Sequence, residues 1–323
     1  MKATLKDVAA AANVGLSTAS YVLNGSGLHK VGTETRERIL AAAAQLNYTP
    51  NAIARGLRSG KSYLIGVLLP GIDYSFMPEI IAGIDRVLSE HKYNMLLCTF
   101  SNPDEIPDKL QILKQKQVDG IIVKAWSPEC VERIAAICAN RLPCVLTAMP
   151  DCAGLPAVQV DPELLGKMSL EYLRENNHRN IAMVVRKNKS LWLQNVSLAA
   201  RQYSDIKITE FNTGEPDWQE NFFARHKEFS AAVCCDPVAV NIIHEANLRN
   251  INIPGELSVL GADGLDMGAY TTPGLTTIAQ PRSEQGSVAA ELLLQWISSG
   301  QKPSGRKLKP ELCLRQSVAT LKK

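Results

Sequence analysis

The stretch TLKDVAAAANVGLSTASYVLNG, Thr4 to Gly25, decides how the amino-terminal part of the chain is read. Thr4 with Asp7 three residues on is a capping signal, because hydroxyl and carboxylate can each satisfy an amide left open at a helix start. Leu5, Val8, Ala9 and Ala12 recur at helical spacing and give the first helix one apolar face. Asn13-Val14-Gly15 then breaks it with residues suited to a tight turn. A second short helix is predicted over about Leu16 to Leu23, with Ala19, Val22 and Leu23 inward and Ser17, Thr18, Ser20, Tyr21 and Asn24 outward. Two short helices joined by a tight turn, the second polar on its outer face, predict a helix-turn-helix.

Working outward, the polar loop Gly25 to Gly32 leads to a third helix, TETRERILAAAAQLNY, whose Ile39, Leu40, Ala43 and Leu46 can close a miniature core. Pro50 then opens NAIARGLR, a short helix rich in Ala and Arg, and Ser59-Gly60-Lys61-Ser62 reads as a linker. The whole chain carries a net charge of +3. Residues 1–62 hold eight Lys or Arg against three acids, a net +5, which leaves −2 for the remainder. A small basic module on a slightly acidic body fits a DNA-binding arm, although a small helical bundle with a solvated basic face would show the same pattern.

From Tyr63 the pattern becomes an alternation of apolar runs with amphipathic helices. LIGVLLP, NMLLCTF, VDGIIVK, PCVLTAM, NIAMVV, AAVCCD and LSVLGAD read as buried strands, and MPEIIAGIDRVLSEHKY as one of the helices. Such alternation predicts parallel sheets covered on both faces. The eight cysteines include no CxxC pair and several lie in apolar runs, so they read as small core residues of a reduced, cytosolic protein. The start lacks a signal-peptide apolar region and no apolar stretch nears the roughly 20 residues that span a bilayer, so no membrane partner is expected. The five histidines (His29, His91, His178, His226, His244) have no metal-ligand spacing and read mostly as surface residues. Neither a phosphate-binding glycine loop nor a nucleophile elbow is present, which argues against an enzyme, a cofactor or a metal.

The segments TLKDVAAAANVGLSTASYVLNG and TRERILAAAAQLNYTPNAIARGLR closely resemble the headpiece and hinge of the LacI/GalR (lactose-repressor) family, and TPGLTTIAQP resembles a stretch typical of its sensor. The resemblance implies three parts: a helix-turn-helix headpiece at residues 1–49, a hinge helix and linker at 50–62, and an effector-binding and dimerisation domain at 63–323. That last part would be an α/β sensor of two doubly wound parallel-sheet lobes, like periplasmic binding proteins, with the ligand between them. The implied function is a transcription repressor that binds operator DNA as a homodimer under control of a sugar-like small molecule. A regulator whose cleft has lost its ligand is the alternative. A sugar-binding transport protein would share the sensor but needs a signal peptide and no headpiece. The tail ends ATLKK without a leucine heptad, so a dimer is expected rather than a tetramer bundled at its tails.

Carried over by position, Leu16, Ser17 and Tyr21 would face base edges, while Thr18, Ser20 and Asn24 would hold phosphates and the backbone near His29 would approach the duplex. Tyr21 stands where the family usually has Arg, so the half-site should differ there; a tyrosine lying along the helix is the plainer reading. Gly15 replaces the usual Ser cap of the reading helix, at a cost of a few tenths of a kcal/mol. Ala54 and Leu57 occupy the minor-groove positions of the hinge helix, where Leu57 would wedge between base pairs or else pack on the headpiece. In doubly wound sheets ligands sit beyond the carboxyl ends of strands. That places Asp73, Phe76, Asp161, Asp236, Asp263 and Gln280 as effector contacts, though each acid could instead cap a helix. Cys235 and Ala262 depart from the family's Asn and Phe, and Trp192 falls near its ligand-gripping Arg, for which Arg186, Lys187 or Lys189 could substitute.

Overall fold

The computed structural model describes residues 3–24, 30–49, 60–72, 75–124, 127–138, 142–147, 154–186 and 191–322, and the chain divides into two compact units, 1–63 and 64–323.

The first unit holds α1 (Leu5–Ala11), α2 (Leu16–Leu23) and α3 (Thr33–Gln45). The capping box forms: the Asp7 amide donates to Thr4 Oγ1 at 3.4 Å and the Thr4 amide to Asp7 Oδ2 at 2.8 Å. Asn13 turns the chain with a φ of 50°, and Gly15 caps α2 without a side-chain bond. Val8, Ala9, Ala12, Ala19, Val22, Ile39, Ala42 and Ala43 pack into one small core. Arg38 Nε donates to the carbonyl of Ala12 at 3.0 Å, satisfying an acceptor that the end of α1 leaves open. Leu40 and Leu46 do not join this core; they are 46% and 37% exposed. A helix turns by about 100° per residue, so once Ile39 faces inward, Ala42 and Ala43 follow it and Leu40 is carried away. Truncating Ile39 to Ala should lower headpiece stability by about 2–5 kcal/mol, read in the full chain as faster hydrogen exchange of the α1–α3 amides.

The second unit contains two six-stranded sheets. The first lobe runs β1 (Leu64–Leu69), α4 (Met77–Glu90), β2 (Asn94–Thr99), α5 (Ile106–Gln115), β3 (Gly120–Lys124), α6 (Pro128–Cys138), β4 (Cys144–Thr147) and β5 (Ala157–Val160). The second runs α7 (Pro162–Glu175), β6 (Asn180–Val185), α8 (Leu191–Ala200), β7 (Lys207–Asn212), α9 (Trp218–Ala224), β8 (Ala231–Val233), α10 (Asp236–Leu248), β9 (Ser258–Gly261) and β10 (Thr276–Ala279). The chain then returns to the first lobe through α11 (Arg282–Ser299) and β11 (Arg306–Leu308), and ends its strands in the second with β12 (Glu311–Cys313). The strand orders are β11-β5-β4-β3-β1-β2 and β12-β10-β9-β8-β6-β7, parallel throughout except for β12 against β10. This is the two-lobed parallel architecture expected from the alternation of strands and helices.

Every residue of β3, β4 and β5 is buried, whereas the edge strands β2 and β7 alternate with exposed positions. The return helix α11 is held hard against α4. A β-carbon at Gly83 would fall on the carbonyl of Ser283, and one at Gly286 on the carbonyl of Ile80, so only glycine permits this approach. Ser287 seals the contact by donating to the Gly83 carbonyl at 3.1 Å, and Arg86 Nη2 donates to Ser287 Oγ at 2.8 Å.

His178 is fully buried, contrary to its reading as a surface residue. Its ring bridges Ser230 Oγ at 2.9 Å and the carbonyl of Ala319 at 3.0 Å, pinning the tail beside β6. Cys130, Cys138, Cys144 and Cys234 are buried free thiols, in keeping with their reading as core residues. Among the described residues no helix is long and apolar enough to cross a membrane.

Candidate DNA-reading surface and effector site

On α2, Leu16, Ser17 and Tyr21 are exposed, as is the following Asn24, and Thr18 is half-buried. Ser20 lies inside, only 5% exposed, which corrects its outward placement. The Asn24 side-chain amide donates to the carbonyl of Ser20 at 2.8 Å and to its hydroxyl at 3.1 Å. Asn24 therefore closes the end of α2 through Ser20, and the exposed face of that helix is formed by Leu16, Ser17 and Tyr21. His29, Ala54, Leu57 and Asp73 lie outside the described residues.

In the second lobe the carboxyl ends of β8, β9 and β10 converge on two aspartates. Asp236 opens α10 and Asp263 follows β9, and each carboxylate accepts the other's backbone amide, at 3.1 and 3.0 Å. Asp236 also accepts the Thr277 hydroxyl at 2.7 Å and the Leu265 amide at 2.8 Å. Thr277 Oγ1 takes the amides of Asp263 and Gly264 in turn, both at 3.2 Å. Gly261 is glycine for a local reason, since a β-carbon there would strike the Asp236 carboxylate. Gln280 reaches back from the end of β10 to the carbonyl of Ala262 at 2.6 Å and to Asp263 Oδ1 at 3.3 Å.

Burial pushes the Asp263 carboxyl up to about 6; Arg282 opposes that rise and the neighbouring Asp236 adds to it. Asp236 is raised too, again by burial, against the hydrogen bonds from Thr277 and the backbone amides.

Arg282, the first residue of α11, pairs with Asp263 at 3.2 Å and is almost wholly buried. Its guanidinium lies 4.6 Å from the centroid of the Phe76 ring, and Lys124 Nζ, at the end of β3, lies 5.3 Å from the same centroid. Asp263 and Phe76 thus meet, from opposite lobes, across Arg282. Next to this cluster a cavity of about 370 Å³ is lined by Arg186, Thr213, Trp218, Gln219, Cys235 and Asn241, among others. Burial pushes the Cys235 thiol up to about 11, and the Asp263 charge adds to that rise.

Two expected contacts are placed elsewhere. Asp161 is the N-cap of α7, accepting the amides of Glu163 and Leu164 at 3.0 and 3.2 Å, with Lys307 3.7 Å away. Trp192 is buried in the core beneath β6, among Leu165, Met183 and Val196. Arg186, offered as a substitute for the family's ligand-gripping Arg, lines the cavity, whereas three residues went unmarked in the sequence: Lys124, Arg282 and Trp218. Trp218 follows β7, whose run KITEFN is too polar to register as a buried strand. No group of three or more His, Cys, Asp or Glu suited to a metal occurs among the described residues.

A helix-turn-helix unit followed by a two-lobed body, with buried polar groups gathered at its strand ends, defines a regulator that joins DNA reading to a sensor in one chain. Residues 4–51 match the family model for bacterial regulatory proteins of the lacI family, and residues 170–318 match the periplasmic binding protein-like domain. The HTH-type transcriptional repressor PurR of Histophilus somni is 30% identical over 99% of this chain and 100% of its own. The lac repressor dimer bound to operator and the anti-inducer ONPF superposes with a TM-score of 0.86 at 23% identity, covering 99% of this chain and 100% of that one. A LacI family transcriptional regulator from Enterococcus faecium with bound ribose gives 0.68 at 24% identity, over 80% and 100%. The chain belongs to the LacI family of bacterial regulators. It is a DNA-binding transcriptional repressor with a periplasmic-binding-protein-like sensor, and not an enzyme.

The raised Asp263 has a measurable consequence. In the folded protein it holds its proton more tightly than in the unfolded chain, so its contribution favours folding at low pH and is lost as pH rises through about 6. Relative to Asp263→Asn, the unfolding free energy of the unaltered protein should fall by about 3 kcal/mol between pH 3 and pH 7 and run level above. Denaturant titrations across that range check this; parallel curves for the two proteins would show an unperturbed carboxyl.

Proposed function

We propose that two copies of this chain pair through their sensors and bind a near-palindromic operator in the cytoplasm. A sugar or sugar derivative in the sensor would set the affinity. The observation that carries this reading is the likeness, along nearly the whole chain, to a repressor dimer whose structure was obtained on operator DNA. Leu248, Met267 and Tyr270 leave exposed apolar surface around the end of α10, which suits pairing with a second copy. Two-fold pairing sets the two headpieces over matching half-sites. In this reading residues 50–62 form a hinge helix on DNA, with Ala54 and Leu57 in the minor groove and Leu57 as the wedge that opens the central step. Effector and operator then affect each other by the same factor.

Selection of a binding site from random DNA, followed by anisotropy titration, tests the reading. A two-fold site bound by dimers supports it, and absence of any preferred sequence refutes it. Replacing Tyr21 by Arg should raise affinity for half-sites with guanine at the contacted position by roughly tenfold to hundredfold. An unchanged preference would remove Tyr21 from base reading.

The second reading, a cleft that no longer takes a ligand, draws on the way Asp263, Arg282 and Phe76 already satisfy one another. Thermal unfolding against sugars, sugar phosphates, nucleosides and purines separates the two. A ligand at about 100 times its dissociation constant should add roughly 2.7 kcal/mol, whereas no shift across the panel favours the empty cleft.

A further inference from the structure

The polar groups gathered where the lobes meet are unequal in kind. The acceptors are committed: Asp236 takes the Thr277 hydroxyl and the amides of Asp263 and Leu265, and Asp263 takes the Asp236 amide, Gln280 and Arg282. The donors are not. Arg282, 8% exposed, has an Nε that makes no hydrogen bond. Lys124, 2% exposed, makes no hydrogen bond or ion pair among the described residues. What both cations share is the face of Phe76. A π face attracts a cation only weakly compared with a carboxylate.

Two cationic side chains are therefore held against one ring, and the one carboxylate beside them, Asp263, is bonded, of the two, to Arg282 alone. Burial drives the Lys124 ammonium far below its usual range, the Arg282 charge adds to that, and Asp263 only partly offsets it. Glu79 on α4 feels the Arg282 charge, but it is exposed and forms no ion pair with either cation among the described residues. An ammonium buried without an acceptor is destabilising, and Lys124 closes a strand whose other residues are glycine and aliphatic side chains. A neutral sugar relieves this only in part, because its hydroxyl oxygens can accept from the two cations but bring no charge to offset theirs. The adjacent cavity repeats the bias, with Arg186 on its wall and no acid among its lining residues.

We infer that the effector carries an anionic group, a carboxylate or a phosphate, bound by Lys124 and Arg282 where Phe76 now covers them. This rests on the reading of the sensor as an effector site. The anion supplies the missing acceptors to both cations, and the part of the ligand beyond it extends toward Trp218 and Gln219.

Calorimetric titration of the full-length protein at constant ionic strength tests this, with D-glucose, D-glucuronate, D-glucose 6-phosphate and inorganic phosphate as probes. Saturable binding of glucuronate alone identifies a carboxylate group. Saturable binding of glucose 6-phosphate, with weaker binding of inorganic phosphate, identifies a phosphate. In either case glucose should bind at least tenfold more weakly. Lys124→Met should cut the anion's affinity at least tenfold while unfolding at the same or a higher temperature, because it removes a buried unpaired charge. Glucose binding as tightly as the anions, or anion binding unchanged in Lys124→Met, overturns the anionic group but leaves a sugar effector standing. No saturable binding of any of the three anionic probes also overturns it; whether a ligand of another class binds is then read from the wider thermal panel.

Discussion

The carboxylate of Asp236 is sealed from solvent, yet three donors close on it, from β10, from the turn after β9 and from the backbone of Asp263. A charge in that position holds because both carboxylate oxygens have donors, supplied by the turn after β9 and by β10. The second lobe's upper edge depends on this one group. Gly261 must lack a side chain to admit it, and Thr277 must carry a hydroxyl to reach it. Asp263 is oriented by it through the exchange of amide bonds. A Val at position 277 would leave the Asp236 carboxylate short of a donor and the amides of Asp263 and Gly264 without an acceptor.

From Asp263 the same polar chain passes to the other lobe. Arg282 begins the helix that carries the chain back across, and that helix is bound to α4 at backbone distance through Gly83 and Gly286. The arginine thus belongs mechanically to the first lobe, and its carboxylate partner to the second. Such a pair registers any change in the angle between lobes, because an ion pair of this kind is sensitive to small displacements when water is excluded. The aromatic ring of Phe76 and the ammonium of Lys124 complete a cluster in which packing, charge and lobe geometry are set together.

Much of the architecture was legible in the sequence. The Thr4–Asp7 cap and the apolar spacing of α1 and α2 predict the helix-turn-helix, because both are local devices whose partners lie within a few residues. The buried strands stand out as continuous apolar runs. The edge strand β7 and the short strands β10, β11 and β12 were not read as strands, since an edge position tolerates polar residues and three or four residues carry little periodicity. Ser20, Leu40 and Leu46 were misjudged for one reason. Periodicity says that one face of a helix is buried but leaves its width open, and alanines closed this small core where leucines were expected.

The candidate site divides in the same way. Strand-end position by itself marked Asp236, Asp263 and Gln280, and the structure brings all three together. It marked Asp161 equally well, and that carboxylate caps α7 instead, a distinction that depends on where two amides point. Trp192 and Trp218 show the limit most clearly: both are tryptophans near strand ends, but one lies in the core and the other on the cavity wall. The sequence by itself determined that a helical unit precedes an α/β unit, the α1–turn–α2 pair and the strand ends that carry polar residues, since these follow from local spacing and hydrophobic pattern. Only the tertiary structure decided that Lys124, Arg282 and Phe76 meet, and that Asp263 is already spoken for. Contacts among residues as far apart as 76, 124, 263 and 282 arise from the chain's crossings between lobes, and no local pattern records them.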